Sequence, residues 1–229
     1  LLTAGSLGYS GAITSGGGNV TLASQTGSVF SANVDAGSGT VLATGASISG
    51  GSYQTSGNIA LTATAGSINV NDIHAAAANL NATGSIYTTV NVSDRVNATS
   101  TNSSVTLLSD GTGPLRLGTI TGNSSVNIYG YDGMEQASGG LLTSLNINLY
   151  TNNSLVQAGS VAAPLRIAAP TAMVQPLIGV YDVASGAHVE WVGNPTLARL
   201  ILTGTVAGLG ASTLVGASNL SSLTLGTGS

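Results

Sequence analysis

The residues of this sequence that could do acid–base or metal chemistry are few and widely spaced. The 229 residues include eight acidic side chains, four arginines and two histidines, and there is no cysteine. Glycoside hydrolysis needs a facing pair of carboxylates, and a structural zinc site needs clustered ligands. Asp132 and Glu135 share one segment with no basic residue beside them, and His74 lies far from His188. The sequence therefore predicts no catalytic residue, no metal site and no cofactor.

A denser group of reactive and aromatic side chains follows residue 169. Segments 178–183 and 188–192 flank the turn-forming stretch 184–187, and this arrangement predicts a β-hairpin. An excursion from a repeat is often its binding element, and the alternative is a structural flap over the side or end of the fold. The candidate interaction residues of this segment are Tyr181, His188, Glu190 and Trp191.

N-glycosylation is a second candidate chemistry, because the chain contains eight Asn-x-Ser/Thr triplets and such triplets can accept glycans in a secreted protein. Many of them arise by chance in a chain this rich in Asn, Ser and Thr. The favoured acceptors lie where the repeat described below predicts an outward position followed by a bulging loop. These candidate acceptors are Asn81, Asn91, Asn97 and Asn102.

Composition narrows the class of protein further. Only 5% of the residues are charged and 42% are hydrophobic, whereas an ordinary soluble domain is roughly a quarter charged. Hydroxyl and amide groups must therefore cover the surface. No stretch approaches the roughly 18 uninterrupted apolar residues of a membrane-spanning helix. The four arginines are scattered, so we predict no nucleic-acid partner and no membrane span.

The elements that position these residues follow from a repeat of about 21 residues. An apolar–outward–apolar triplet returns at nearly constant intervals, which is too short for two packed helices and is typical of one coil of a β-solenoid. The series is Val20-Thr21-Leu22, Val41-Leu42-Ala43, Ile59-Ala60-Leu61, Leu80-Asn81-Ala82, Val105-Thr106-Leu107, Val126-Asn127-Ile128, Leu145-Asn146-Ile147 and Leu165-Arg166-Ile167.

Two further apolar series predict three short strands in each coil. Because side chains alternate between the two faces of a strand, the flanking apolar residues point inward, and the coils form a prism with three parallel sheets. The second series is Val29, Ile48, Ile68 and Ile86. The third series is Ile13, Val34, Tyr53 and Ile73.

The repeat is interrupted in three places. We predict about four extra residues near 91–95 and a loop at 129–135. The largest interruption follows Ile167, because the next good match, at Leu200, comes 35 residues after Leu165. The predicted organisation is β-helix coils over 1–168, an excursion over 169–196, and a weakly repetitive β-helix continuation over 197–229.

Several phrases of the repeat resemble those of a known family. Gly18-Asn19-Val20-Thr21-Leu22-Ala23, Gly57-Asn58-Ile59-Ala60-Leu61-Thr62 and Ala65-Gly66-Ser67-Ile68 resemble the repeats of filamentous-haemagglutinin-like adhesins. These are large bacterial exoproteins exported by two-partner secretion or as autotransporters. The resemblance covers residues 10–168 well and 197–229 weakly, and the Asn-Pro-Asn-Gly hallmark of the family's secretion domain is missing.

The resemblance implies a right-handed parallel β-helix, secreted to the bacterial cell surface, that mediates adhesion, aggregation or biofilm formation. Its expected partner is a glycan or protein on a host or neighbouring cell, or copies of itself end to end. Together with the scarcity of chemistry-bearing residues, this favours a non-enzymatic surface adhesin or stalk.

Three alternatives remain open. The first is a self-assembling subunit of an extracellular filament. The second is a carbohydrate-binding or carbohydrate-active β-helix, in which tyrosines could stack on sugar rings, although tyrosine also fills solenoid cores. These aromatic candidates are Tyr53, Tyr129, Tyr131, Tyr150 and Trp191. The third is an ice-binding rod, which the mixed outward residues of the first series do not favour.

Overall fold

The molecule is a stack of parallel β-coils. The computed structural model describes the backbone of residues 2–110 and 112–150, and beyond residue 150 only the strands given below. Side chains are described for 5–110, 112–137 and 139–150. Within these residues the fold is all-β without a helix, and it forms a β-solenoid of about seven turns of about 19 residues each. The predicted fold class is therefore confirmed.

Most of the described strands have eight residues or fewer, and β8 and β9 have 15 each. They are β1 Leu2–Ala4, β2 Leu7–Thr14, β3 Val20–Ser24, β4 Val29–Asp35, β5 Val41–Gly45, β6 Ile48–Gln54, β7 Asn58–Ala63, β8 Ile68–Ala82, β9 Ile86–Ser100, β10 Val105–Ser109, β11 Leu115–Gly122, β12 Ser125–Tyr129, β13 Met134–Thr143, β14 Asn146–Tyr150, β15 Leu165–Ala168, β16 Thr171–Val174, β17 Gly179–Val183, β18 His188–Trp191, β19 Thr196–Leu202, β20 Thr205–Ala207, β21 Thr213–Leu214 and β22 Asn219–Leu220.

The strands form two parallel ladders that run along the stack. Ladder A contains β1, β3, β5, β7, the second halves of β8 and β9, and then β11, β13, β15, β17 and β19. Ladder B contains β2, β4, β6, the first halves of β8 and β9, and then β10, β12, β14, β16, β18 and β20. Each coil thus adds one strand to each ladder.

Ladder B turns a corner in its early strands, which divides it into two faces. In β4 and β6 the pairing runs from Val29 to Ser31 and resumes at Val34, and β2 shows a register shift at the same level. The second and third apolar series are therefore correct in register, one on each side of this bend. The bend explains why the sequence predicts three strands where the backbone has two.

The inward side chains of consecutive coils stack into columns that form the core. One column consists entirely of aliphatic residues that are at most 1% exposed: Val29, Ile48, Ile68, Ile86, Val105, Val126 and Ile147. Each such side chain contributes roughly 1.5–3 kcal/mol of burial free energy before conformational entropy is counted. Because every coil contacts only the coils next to it, stability accumulates coil by coil.

The first apolar series is correct only as far as Leu61. Leu61 pairs with Leu80, so the inward triplet of that coil is Ala78-Asn79-Leu80, two residues earlier than predicted. Leu80 in turn pairs with Ala98 and not with Val105. The search for large aliphatic residues missed Ala78 and Ala98, because these small residues fill inward positions where neighbouring coils supply the bulk.

Val105 and Val126 belong to ladder B and not to the first series, since Ile86 pairs with Val105 and Val105 with Val126. The predicted insertion of about four residues near 91–95 is wrong, because that segment lies within strand β9 and has only one extra residue relative to β8, between Val92 and Arg95.

The predicted loop at 129–135 is shorter than expected. Tyr129 ends β12 and Met134 begins β13, so only the residues between them turn. The first series predicts that Leu145 and Ile147 both point inward. Leu145 is instead 57% exposed, and the two buried residues of strand β14 are Ile147 and Leu149.

The strands of the predicted excursion differ from the hairpin expectation. β17 pairs in parallel with β15 and β19, and β18 pairs in parallel with β16 and β20. Leu165 pairs with Tyr181 and Tyr181 with Leu200, so the 35 residues from Leu165 to Leu200 hold two coil steps. Strand propensity identifies both segments, but it does not distinguish pairing within a hairpin from stacking on a neighbouring coil. The domain boundaries at 168 and 196 stay a prediction.

Glycine and asparagine together allow the coils to bend. Asn33 accepts a hydrogen bond at its side-chain oxygen from the amide of Ser52 in the next coil at 3.1 Å, and Asn97 does the same for Thr119 at 2.9 Å. The residue before each capped amide is a glycine, Gly51 or Gly118, and a Cβ there would collide with the asparagine oxygen. At these two places an asparagine in one coil is therefore matched by a glycine in the next coil.

Among the residues whose side chains the structure describes, Tyr53 is the largest that is fully buried, and its phenol is paired inside the core. Its hydroxyl lies 2.7 Å from the Ser31 hydroxyl of the preceding coil. Burial raises the pKa of Tyr53, and the hydrogen bond from Ser31 opposes that shift only in part. This excludes Tyr53 from the sugar-stacking candidates, because its ring is 0% exposed.

We expect Gly51→Ala to destabilise the fold by about 3 kcal/mol or more, because the new Cβ would lie 1.6 Å from the Ala32 carbonyl oxygen. The matched control is Gly8→Ala, where no atom lies within 4 Å of the new Cβ and the expected change is within about 0.5 kcal/mol. Urea unfolding followed by circular dichroism measures both. Equal stability of the two variants would contradict the close approach of the two coils at Gly51.

Tyr53→Phe should lower the free energy of unfolding by about 1–3 kcal/mol, because it leaves the buried Ser31 hydroxyl without its partner. Ser31→Ala alone should also destabilise the fold, since it leaves the buried Tyr53 hydroxyl without a hydrogen-bond partner. The double variant should be more stable than the sum of the single changes predicts. Strictly additive effects in urea unfolding would show that the two hydroxyls do not interact.

Candidate functional site

The ionisable side chains gather on one side of the coil. We call this arc, which runs from the second face of ladder B to the first residues of ladder A, the polar edge. Among residues with described side chains, every aspartate, glutamate, histidine and arginine lies on it: Asp35, Asp72, His74, Asp94, Arg95, Asp110, Arg116, Asp132 and Glu135. The low overall charge of the chain is therefore concentrated locally.

The centre of the polar edge is a column of polar residues in successive coils. Asp35 pairs with Gln54, Gln54 with His74, and His74 with Asn91. Asp35, Gln54 and His74 each follow an inward residue of the third series by one position, and Asn91 follows Val90, which pairs with Ile73 of that series. Strand alternation turns the side chain after each inward residue outward. That offset is the signal by which sequence analysis could have found the column.

This column lines an open groove of about 430 Å³. Its walls include Asp35, Gln54, Thr55, His74 and Asn91. Three coil steps of about 4.8 Å give the column a length of about 14 Å. The lining offers carboxylate, amide, imidazole and hydroxyl groups, which suits hydrogen bonding to a polar ligand.

Asp110 closes the column at its upper end through a small hydrogen-bond network. Asn91 donates from its amide to Asp110 Oδ2 at 2.7 Å and to Thr112 Oγ1 at 2.8 Å. Thr112 donates to Asp110 Oδ1 from its amide at 3.0 Å and from its hydroxyl at 2.7 Å. Partial burial alone would raise the pKa of Asp110, but the bonds from Thr112 and Asn91 and the charge of His74 outweigh it and lower the pKa below its ordinary value.

A second, smaller groove of about 190 Å³ contains two ion pairs. Arg116 Nε lies 3.5 Å from Glu135 Oε2, and Arg95 Nε lies 3.2 Å from Asp94 Oδ2. The expectation that no basic residue accompanies Glu135 is therefore wrong, because stacking places Arg116 on the same column one coil earlier. These pairs are exposed, so each contributes at most about 1 kcal/mol.

The four candidate glycan acceptors occupy different environments. Asn81 is exposed on ladder A and Asn102 is exposed in a turn. The side-chain amide of Asn97 donates to Asn79 Oδ1 at 2.8 Å, and its oxygen accepts a hydrogen bond from the backbone amide of Thr119 in the next coil. The side-chain amide of Asn91 donates to the carboxylate of Asp110. A glycan on the amide nitrogen of Asn91 or Asn97 would replace these donated bonds, so Asn81 and Asn102 are the better candidates. Glycosylation of any of them stays a prediction.

The remaining predicted interaction residues lie on strands of the upper coils. Tyr181 lies in β17, and His188, Glu190 and Trp191 lie in β18, which places them on different ladders. Their side chains are outside the described residues, so their role stays a prediction.

Outward tyrosines and asparagines also stack on ladder B. The rings of Tyr129 and Tyr150 lie 4.8 Å apart at an interplanar angle of 9°, and Asn148 donates to Asn127 at 2.8 Å. Stacking of identical side chains in neighbouring strands stabilises the sheet. Tyr9, Phe30, Tyr87 and Tyr131 are 40–52% exposed.

Comparisons with known proteins find no matching family, no similar curated protein and no similar solved structure. In the part of the chain that the structure describes, no group of three His, Asp or Glu residues could hold a metal ion. The same residues include no helix that is long and apolar enough to cross a membrane. The function therefore has to be argued from the chain itself.

We expect Asn91→Ala to raise the pKa of Asp110 towards its ordinary value, because it removes one donor to the carboxylate. A lowered folded-state pKa adds stability above the unfolded-state pKa, and this contribution is lost as pH falls through the folded-state value. The variant should thus lose this contribution at a higher pH than the parent. NMR titration of the carboxyl carbons measures the shift, with Asn69→Ala as the control on the other face of ladder B. An unchanged Asp110 pKa would contradict the network.

Proposed function

We propose that this chain is a non-enzymatic extracellular adhesin or stalk segment that mediates adhesion, aggregation or biofilm formation at a bacterial cell surface. The observation that carries the proposal is the division of the surface. Ionisable groups lie on the polar edge, while the remaining outward positions of the described coils are uncharged and recur once per coil. A repeated, hydroxyl- and amide-rich surface suits display and contact.

Repetition gives such a surface binding strength that no single coil has. Identical weak contacts on successive coils act together, so their combined avidity exceeds the affinity of each by orders of magnitude. The ladder hydrogen bonds hold the contacts at a fixed spacing, which limits the entropy lost on binding. The proposed partner is a glycan or protein on a host or neighbouring cell. The resemblance of the repeat phrases to filamentous-haemagglutinin-like adhesins supports the same proposal.

The first alternative is a subunit of an extracellular filament. The last coil of a β-solenoid presents unpaired N–H and C=O groups, so copies of a solenoid can join end to end through them. The two proposals differ in one measurement, since a subunit grows in mass with concentration whereas an adhesin segment does not.

The second alternative is a carbohydrate-binding β-helix, and the groove beside His74 favours it. Gln54 and His74 have no side-chain hydrogen bond to another described residue, and Asp35 uses only one carboxylate oxygen, which accepts from Gly37 at 2.8 Å. Planar polar groups with spare capacity can bind the hydroxyl groups of a sugar. A neutral tetrasaccharide panel titrated by NMR, with His74→Ala and Gln54→Ala as the variants, tests this alternative.

We expect fluorescent beads coated with the purified chain to adhere to bacterial or host cell layers, and the chain itself to stay monomeric in light scattering. Beads coated with the heat-denatured chain are the control, because they carry the same composition without the ordered coils. Mass that grows with concentration would instead support the filament. Adhesion equal to that of the control beads would contradict the proposed function.

A further inference from the structure

The groove beside His74 lies where the corner between the two ladders is shortest. In five successive coils this corner runs from the last inward residue of ladder B to the first inward residue of ladder A. The corners are Val34 to Val41, Tyr53 to Ile59, Ile73 to Ala78, Val90 to Val96, and Ser109 to Leu117. The residues in between number six, five, four, five and seven, so the corner of the His74 coil is set back between longer ones.

The short corner gives the groove a small apolar floor. Ala75 and Ala76 line it there, while Gly37 contributes from two coils earlier and Ser93 from the next coil. A ligand pocket usually combines an apolar lining with a few polar groups that fix the orientation of the ligand. The floor of this groove can therefore hold the aliphatic part of a ligand.

Hydrogen-bond acceptors stand at both ends of the polar column in this groove. The side-chain nitrogen of Asn91 is committed to Asp110 and Thr112, so its oxygen remains for a ligand. One carboxylate oxygen of Asp35 accepts from the Gly37 amide at 2.8 Å, and the other remains. Between these ends, the carbonyl oxygen of a glutamine and one ring nitrogen of a neutral histidine can also accept. The groove therefore suits a ligand that donates.

The electrostatic surroundings of His74 are negative. The charged side chains around it, on its own strand and on the neighbouring coils, are Asp35, Asp72, Asp94, Arg95, Asp110, Arg116 and Glu135. Arg95 pairs with Asp94 at 3.2 Å and Arg116 with Glu135 at 3.5 Å. The three remaining carboxylates favour a positively charged ligand.

We propose that the groove beside His74 binds the ammonium group of a lysine side chain from a partner protein. An ammonium is a compact charge with three hydrogens to donate, so it can meet single acceptors from several coils. A guanidinium is less well matched, because its planar fork pairs with both oxygens of a carboxylate and Asp35 has only one to offer. The aliphatic stem of lysine would cover Ala75 and Ala76.

The partner is a different protein, because this chain contains no lysine whose side chain a second copy could insert. The inference rests on the proposed function, which supplies a protein partner at a cell surface, and it names the chemistry by which that partner would be recognised. Binding of an ammonium group in the groove can nevertheless be measured without any cell.

Protonation of His74 should release the lysine. A histidine side chain gains its charge between pH 8 and 5, whereas the lysine ammonium keeps its charge throughout this range. The protonated imidazole offers no acceptor and brings a second positive charge into the groove. Binding should therefore weaken about tenfold from pH 7.5 to pH 5.5.

NMR titration with Nα-acetyl-lysine N-methylamide tests the inference. At pH 7.5 the ligand should shift the side-chain signals of Gln54, His74 and Asn91, and acetylation of its Nε should weaken binding about tenfold, because this removes the charge. Asp35→Asn should weaken binding by a similar factor while keeping an acceptor for the Gly37 amide. The matched control is Asp132→Asn, which removes the same charge from another loop of the polar edge and should bind as the parent does.

His74→Gln keeps a polar side chain that does not titrate, so this variant should bind lysine equally at both pH values. Circular dichroism checks that the coils of each variant are intact. Absence of binding by the parent would overturn the inference, as would equal binding of the acetylated ligand or a pH dependence that survives in His74→Gln.

Two sugar ligands test the competing chemistry. A neutral tetrasaccharide, or a fully deacetylated chitosan tetramer, that binds more tightly than the lysine ligand would overturn the inference. Bead adhesion that persists without lysine binding leaves the proposed function standing. Lysine binding without bead adhesion contradicts only the proposed function.

Discussion

The hydrogen-bonded parallel ladder between successive coils is the interaction on which the rest of this molecule depends. Because each strand pairs in register with the strand one coil earlier, every position of the coil is repeated along the stack at one fixed spacing. Inward positions become continuous aliphatic columns such as the one from Val29 to Ile147. Some outward positions become columns of like residues, such as Asn127 with Asn148 and Tyr129 with Tyr150. A sequence that varies from coil to coil thus produces a core and surfaces that are continuous.

The same ladder limits which residues the corners can hold. Where ladder B bends, one coil lies so close to the next that a side chain at Gly51 would meet the backbone oxygen of Ala32. The amide beyond the bend, that of Ser52, loses its ladder partner and is capped by Asn33 from the coil before. At Asn33/Gly51 and Asn97/Gly118 the asparagine cap and the close-packed glycine occur together, because the amide that receives the cap directly follows the glycine. The high glycine and asparagine content of the chain is in part a consequence of stacking.

Surface chemistry is divided by position within the coil. The polar edge brings together aspartate, histidine and arginine from segments about 20 residues apart, and it holds the groove beside His74 and the groove that contains the two ion pairs. Ladder A shows threonine and asparagine, and the first face of ladder B shows asparagine, tyrosine and small polar residues. Each surface can therefore evolve a separate interaction without disturbing the core, because the inward residues that stabilise the coils are not shared with it.

The sequence by itself determined that the chain winds into coils of parallel strands and which residues of the early coils point inward. Both follow from local alternation and from burial of large aliphatic residues, which are visible within a few positions. Only the tertiary structure decided which strand pairs with which, and in what register. The step between paired residues varies from 16, between Leu165 and Tyr181, to 25, between Leu142 and Ile167, and small inward residues such as Ala78 conceal the register. The pairing of Arg116 with Glu135 and the polar edge both depend on that register. They could not be derived from the average spacing. The residue that lies next to a given position in the following coil depends on how many residues that particular coil contains, and this number varies.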